Sequence, residues 1–422
     1  MKYTFNLLVF AMLFSITHSV TGQTVNYDES KVPNYSLPDV LKTNSGQVVK
    51  NSKEWETIRR PEVLDIFTKQ MYGKTPAEQI KVSYEMLLEN KKALNGKATS
   101  RQIKMSFENN GKKVDALLLL LLPNNRQLTE KLPVFVSYNF RGNHSTINDS
   151  TIVYSYNYGL YTEKGHPFWE RGNQSSRWDY DLLIDRGYAV ATMCYHDIFP
   201  DKPDFKEYSV ASLFSDYPNS QLADDSWEAI GAWAWGSSRI VDYLQGVPEI
   251  DTERVAIVGH SRLGKAALWA GAQDERFKIV ISNNSGSGGA ALSKREFGET
   301  VKIVSNIKPA WFAKSFNAYR DNEAKLPFDQ HMLIALMAPR SVYIASAAED
   351  LWADPKGEYL SGVYASPVYN LYNLKGLENT KMPLYNKPIH NNIGYHIRTG
   401  KHDVTSVDWT FFVQFADQQF AR

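Results

Sequence analysis

The run RVAIVGHSRLGK, Arg254 to Lys265, followed by AALWAGAQDERF up to residue 277, sets the architecture of this chain. Val255, Ile257 and Val258 form a short β-branched apolar run of the kind that makes a buried strand. Gly259 and Gly264 flank Ser261, and a segment rich in Ala, Leu and Trp continues at helical spacing. A strand, a tight turn and a helix, with a serine at the turn, is the build of a nucleophile elbow. Such a turn holds the hydroxyl clear of the backbone, and the helix N-terminus directs free N–H groups at developing negative charge. Leu263 stands where the strict G-x-S-x-G pattern has its second glycine, and a serine in this place also reads as a helix cap.

Strand and helix signals alternate on both sides of this element. Upstream, Pro133–Tyr138 (PVFVSY) and Tyr188–Cys194 (YAVATMC) read as buried strands. Ser226–Gln245 reads as a helix with Trp227, Ile230, Trp233, Ile240, Val241 and Leu244 on its apolar side. Downstream, Lys278–Ser282, Ser341–Ser346 and Asn392–Ile397 are further strands, and a helix from Trp409 to Phe415 closes the chain. Earlier, Arg101–Glu108 alternates, Asn110-Gly111 marks a hairpin turn, and Lys113–Pro123 returns as a strand despite six consecutive leucines. A helix is expected over Pro61–Tyr72, with proline at its start. The pattern predicts an α/β-hydrolase fold: a doubly wound, mostly parallel sheet in a three-layer α/β/α sandwich, with function at the strand C-termini.

The chain has 422 residues, enough for one large domain. With 47 basic and 46 acidic residues its net charge is +1, which argues against nucleic acid or an anionic membrane as main partner. Residues 1–22 carry one lysine, an apolar run from Phe5 to Ile16 and a Val20-Thr21-Gly22 exit. They read as a secretory signal peptide, too short to span a bilayer, so the protein is expected to be exported to a periplasm or secreted. Residues 23–95 are expected to form an N-terminal arm packed on a catalytic domain of 96–422, and the chain is expected to be a monomer. Cys194 is the single cysteine, so no intrachain disulfide is possible, and it reads as a small buried hydrophobe.

An α/β hydrolase carries nucleophile, acid and histidine in that order along the chain. Ser261 is followed by Glu349 and Asp350 just past the strand SVYIAS, and then by His390, His396 and His402. His402 lies on a loop after a strand, where its ring can reach the serine, and imidazole can both take and return a proton near neutral pH. Adjacent side chains of an extended segment point to opposite sides, so only one of Glu349 and Asp350 faces the histidine, and Asp350 is preferred.

GHSRLGK, AWAWGSSR (232–239), SGSGGAALSKREFGET (285–300), EDLWADPKGEY (349–359) and GKHDVTSVDW (400–409) together resemble the glucuronoyl esterases of carbohydrate esterase family 15. The resemblance spans roughly residues 100–420. It implies a metal-free and cofactor-free serine esterase that cleaves the bond between (4-O-methyl-)glucuronate on xylan and a lignin alcohol. It implies Ser261 as nucleophile, His402 as base and Arg262 as the arginine that helps hold the oxyanion. Lys265, Glu299 and Trp352 match the sugar contacts, and His196 in YHDIFPD is a further candidate. Fungal members place the triad glutamate where this chain has Asn284, and Asp350 matches the later-loop acid of some bacterial members. Ala310 replaces a histidine found in many bacterial relatives. Two other readings use the same segments: an acetylxylan or general carboxylesterase, and a weakly active hydrolase fold that binds acidic glycans.

Overall fold

The computed structural model describes residues 25–125, 131–157, 170–214 and 223–421, and the expected signal peptide lies outside them. Ten strands form one sheet: β1 Lys81–Ala93, β2 Ala98–Asn109, β3 Lys112–Pro123, β4 Leu132–Asn139, β5 Ala189–Cys194, β6 Ile250–His260, β7 Phe277–Asn283, β8 Ser341–Ala347, β9 Ile389–His390 and β10 Ile393–Arg398. Their order is β1-β2-β3-β5-β4-β6-β7-β8-β10-β9. The pairs from β5 through β10 are parallel, while β1, β2 and β3 join antiparallel at one edge and β9 at the other. The sheet therefore begins at Lys81, inside the stretch expected to be an arm ending at residue 95.

Asn110 and Gly111 both have positive φ, 51° and 72°, the pairing that turns β2 back into β3 along the natural strand twist. The leucine run is a strand because both faces of β3 are covered. Leu118, Leu120 and Leu122 enter the apolar core on one side, and Leu119 and Leu121 enter the core on the other. A strand buried on both faces has no reason to alternate, which is why six leucines in a row do not form a helix here.

The helix Ala229–Leu244 buries Ile230, Trp233, Ile240, Val241 and Leu244 as its spacing predicts. Removing one of these larger aliphatic side chains would cost about 2–5 kcal/mol. The expected helix near Pro61 is regular over Arg60–Phe67 and is flanked on both sides by wider π-type turns. The sequence reading did not foresee the helix Pro355–Asn370, which Asp354 caps through the Gly357 N–H at 2.9 Å. Most of its residues are buried, so it lacks the polar stripe by which a surface helix is recognised. Among the described residues no helix is long and apolar enough to cross a membrane, and Cys194 is buried as a free thiol.

Candidate active site

The sheet order brings four neighbouring strands, β6, β7, β8 and β10, to one edge with their C-terminal ends side by side. Ser261 follows β6, Asn284 follows β7, Asp350 lies past β8, and His402 lies past β10. This is the edge where an open α/β sheet places its chemistry.

Ser261 sits at φ 58°, ψ −128°, between the strand end at His260 and the helix Arg262–Gln273. Its side chain makes no capping bond to the helix, so the bland role suggested by the sequence is not taken up. Non-glycine residues at positive φ are strained, and this one is secured by its N–H, which donates to the Asn283 carbonyl at 2.8 Å. A Cβ on Gly259 would lie 1.9 Å from the Leu263 carbonyl oxygen. One on Gly264 would lie 3.0 Å from the Gly259 carbonyl oxygen and from Ser285 Cβ. Both glycines are thus required by close packing, Gly259 under the Leu263 carbonyl and Gly264 against the Gly259 carbonyl and Ser285.

His402 Nδ1 donates to Asp350 Oδ2 at 2.5 Å, and the same oxygen accepts from Asn284 Nδ2 at 3.0 Å. The His402 side chain is 39% exposed and that of Asp350 only 4%, so the ring faces the cleft while the acid is sheltered behind it. Glu349 is exposed, and its N–H pairs with the Gly400 carbonyl at 3.0 Å, tying the acid loop to the histidine loop. Arg398 clamps the histidine loop from below. Its guanidinium donates to the carbonyls of Thr399, Lys401 and Asp403 at 2.7–3.0 Å and to Asp408 at 2.7 Å. Asp408 in turn accepts from His396 at 2.9 Å and from the Thr405 N–H and hydroxyl at 2.7 and 2.8 Å.

On the opposite wall the Arg262 guanidinium is paired with Asp201, and its Nε is buried without a hydrogen-bond partner among the described residues. Asp201 is a hub that also accepts from Trp311 Nε1 at 2.7 Å and Lys308 Nζ at 3.3 Å. Three cationic groups gather round the Trp311 ring: Arg262 at 5.0 Å, Lys308 at 5.3 Å and Lys265 at 5.4 Å. Lys265 is buried; its ammonium donates to the Ser287 carbonyl and pairs with Glu299 at 3.0 Å. The Glu299 N–H donates to the Trp352 carbonyl at 2.9 Å. Lys265, Glu299 and the Trp352 backbone are therefore neighbours. His196 is buried, its Nδ1 accepts the Asp201 N–H at 3.3 Å, and burial pushes its pKa down to about 3. It is a neutral ring behind the Asp201 loop.

Sequence reasoning missed Asp201, Trp311, Asn283, Arg398 and Asp408. Asp201 lay within YHDIFPD, Asp408 within GKHDVTSVDW and Trp311 beside Ala310, but only the fold brings Asp201 and Trp311 to Arg262 and Asp408 to Asn283. Among the described residues no group of three or more His, Cys, Asp or Glu side chains is placed to hold a metal ion. The arrangement supplies a strained serine, a carboxylate-paired imidazole and a wall of fixed cations, which is the equipment of acyl transfer.

The sequence profile described as "Glucuronyl esterase, fungi" matches residues 189–373. The chain is 42% identical over 402 residues to carbohydrate esterase MZ0003 from an unknown prokaryotic organism, covering 93% of this chain and 91% of that protein. A glucuronoyl esterase from Solibacter usitatus superposes with a TM-score of 0.86 at 41% identity, covering 93% of this chain and all (100%) of the other. A structure described as a promiscuous CE15 esterase from the marine bacterial metagenome superposes with a TM-score of 0.85 at 41% identity, covering 94% and 100%. At that identity and coverage, the chain belongs to the glucuronoyl esterases of carbohydrate esterase family 15, carboxylic ester hydrolases built on the α/β-hydrolase fold.

Proposed function

We propose that the protein hydrolyses the ester between (4-O-methyl-)glucuronate of glucuronoxylan and a lignin alcohol through a Ser261–His402–Asp350 triad. The observation that carries this reading is the 2.5 Å pair between His402 Nδ1 and Asp350, with the His402 ring centroid 4.6 Å from that of His260, the residue before the strained Ser261. A carboxylate on Nδ1 fixes the imidazole tautomer with its other nitrogen free to take the serine proton. Ser261 then attacks the uronate carbonyl, and the tetrahedral oxyanion is stabilised by Arg262 with backbone N–H groups at the start of its helix. His402 returns the proton to the leaving alcohol, and water hydrolyses the glucuronoyl-enzyme by the same steps in reverse. Lys265, Glu299 and Trp352 form the polar cradle for the sugar ring, and Asp201 holds Arg262 on its wall, with His196 behind it. The protein acts as an exported monomer after loss of residues 1–22, with the stretch between residue 25 and the start of the sheet at Lys81 packed on the main core through Val40, Trp55, Val63 and Phe67.

Hydrolysis of benzyl glucuronate by the wild type and Ser261→Ala tests the reading. Turnover falls by about 10⁴- to 10⁶-fold in the variant; comparable turnover would sink the mechanism. A general esterase reading draws support from the likeness to the marine metagenomic CE15 esterase described as promiscuous. Rates on acetylated sugars and on glucuronate esters, measured side by side, separate the two.

A further inference from the structure

We infer that His260 is a positioning residue for this reaction: a flat, neutral ring that backs the imidazole of His402 and holds it in the plane where it meets the serine. The inference rests on the triad reading above. The two rings are in contact in a tilted arrangement, with centroids 4.6 Å apart and planes inclined by 41°. His402 stands on a loop, more than a third exposed, and its bond to Asp350 fixes one atom of the ring. Rotation about that bond remains, and it would carry the other nitrogen away from the serine. A rigid surface behind the ring removes that freedom, and alignment of this kind is where a large share of the barrier is lost or kept.

The backing ring is itself immobilised. His260 is buried, and its edge meets Phe140 at 5.9 Å and 81°. Asn283 donates from Nδ2 to Asp408 at 3.2 Å, which leaves its Oδ1 as acceptor for His260 at 2.6 Å. His260 therefore carries its proton on Nδ1. The Asn283 carbonyl also accepts the Ser261 N–H at 2.8 Å. One residue at the end of β7 thus registers the nucleophile's backbone against the plate behind the base, and Asp408 joins both to the clamp under the His402 loop.

Neutrality is part of the role. During each turnover His402 becomes an imidazolium, and a second cation stacked on it would oppose that step. Burial first, and the neighbouring His402 next, hold the His260 pKa well below its ordinary value.

The test is steady-state hydrolysis of benzyl glucuronate by the full chain, together with the rate at which a fluorophosphonate labels Ser261. His260→Ala is expected to lower kcat about 10- to 100-fold with KM within about twofold, and to slow labelling in parallel. His260→Phe, which restores the flat face without the bond to Asn283, is expected to recover most of that loss. Wild-type kcat in His260→Ala overturns the inference, as does His260→Phe turning over as slowly as His260→Ala. Should His260→Ala fail to fold, His260→Gln, which keeps a donor for Asn283 without a ring, decides: it must be slower than His260→Phe, and the reverse order overturns the inference. His402→Ala is the control. Inactivity there with a wild-type-like His260→Ala defeats this inference alone, whereas activity in His402→Ala defeats the triad and this inference with it.

Discussion

Two buried carboxylates, Asp350 and Glu358, stand on either side of the Asp354–Pro355 turn and are held in opposite ways. Asp350 accepts from His402 and Asn284 at the edge of the cleft. Glu358 accepts from the N–H groups of Ser285 and Gly286 at 2.7 and 3.1 Å and from the Ser346 hydroxyl at 2.7 Å, with no cation among these partners. Burial pushes the Glu358 pKa up to about 8, and the charge of Asp350 adds to the shift. Similar burial therefore produces different chemistry. The acid that faces a titratable ring is equipped to stabilise a charge that comes and goes, whereas the acid that faces neutral donors ties down the loop carrying Ser285 and Gly286.

The largest expected effect breaks the first half of this contrast. Asp350→Asn keeps the shape but removes the charge, and kcat on benzyl glucuronate falls by about 10³- to 10⁴-fold. A loss of less than tenfold would reassign the acid, with Glu349 the nearest alternative. An intermediate effect is expected from Arg398→Ala, which strips the clamp from the His402 loop and leaves Asp408 buried beside His396. Removing one partner of such a buried pair costs about 3–5 kcal/mol, read as a lower denaturation midpoint, and kcat falls further than KM rises. The smallest effect sharpens the second half. Folded Glu358 holds its proton up to about pH 8, against an ordinary value of 4.5. Its stabilising effect is fully present below that ordinary value and is lost as pH rises through about 8. Glu358→Gln does not titrate, so its thermal midpoint gains on that of the wild type by a few degrees between about pH 5 and pH 9. An equal difference at both ends of that range would mean that Glu358 is charged throughout.

The two acids also divide what sequence reasoning reached from what it did not. The strand runs, the elbow and the chain order of serine, acid and histidine were legible because each is local: β-branched patches, a glycine-flanked serine, a loop after a strand. Alternation said only that one of Glu349 and Asp350 faces the histidine, and the resemblance pointed to Asp350; in the structure it is Asp350 whose carboxylate meets His402. Glu358 gave no comparable signal, since the donors that define it come from the ends of β7 and β8. Asn283, Asp408 and Asp201 are silent for the same reason: each joins segments far apart in the chain. The helix Pro355–Asn370 escaped because Pro367, a residue that usually ends a helix, stands inside it and its buried surface lacks periodicity.

The clamp on the histidine loop has a consequence for which end of the chain can be trimmed. Asp408 belongs to the helix Ser406–Phe420, where it also closes the capping box with Thr405. On the triad reading proposed above, a cut in the loop before that helix leaves the serine at its elbow but takes away the carboxylate that Arg398 and His396 share. Loss of hydrolysis is then expected to accompany detachment of the last helix, with the rest of the sheet still in place.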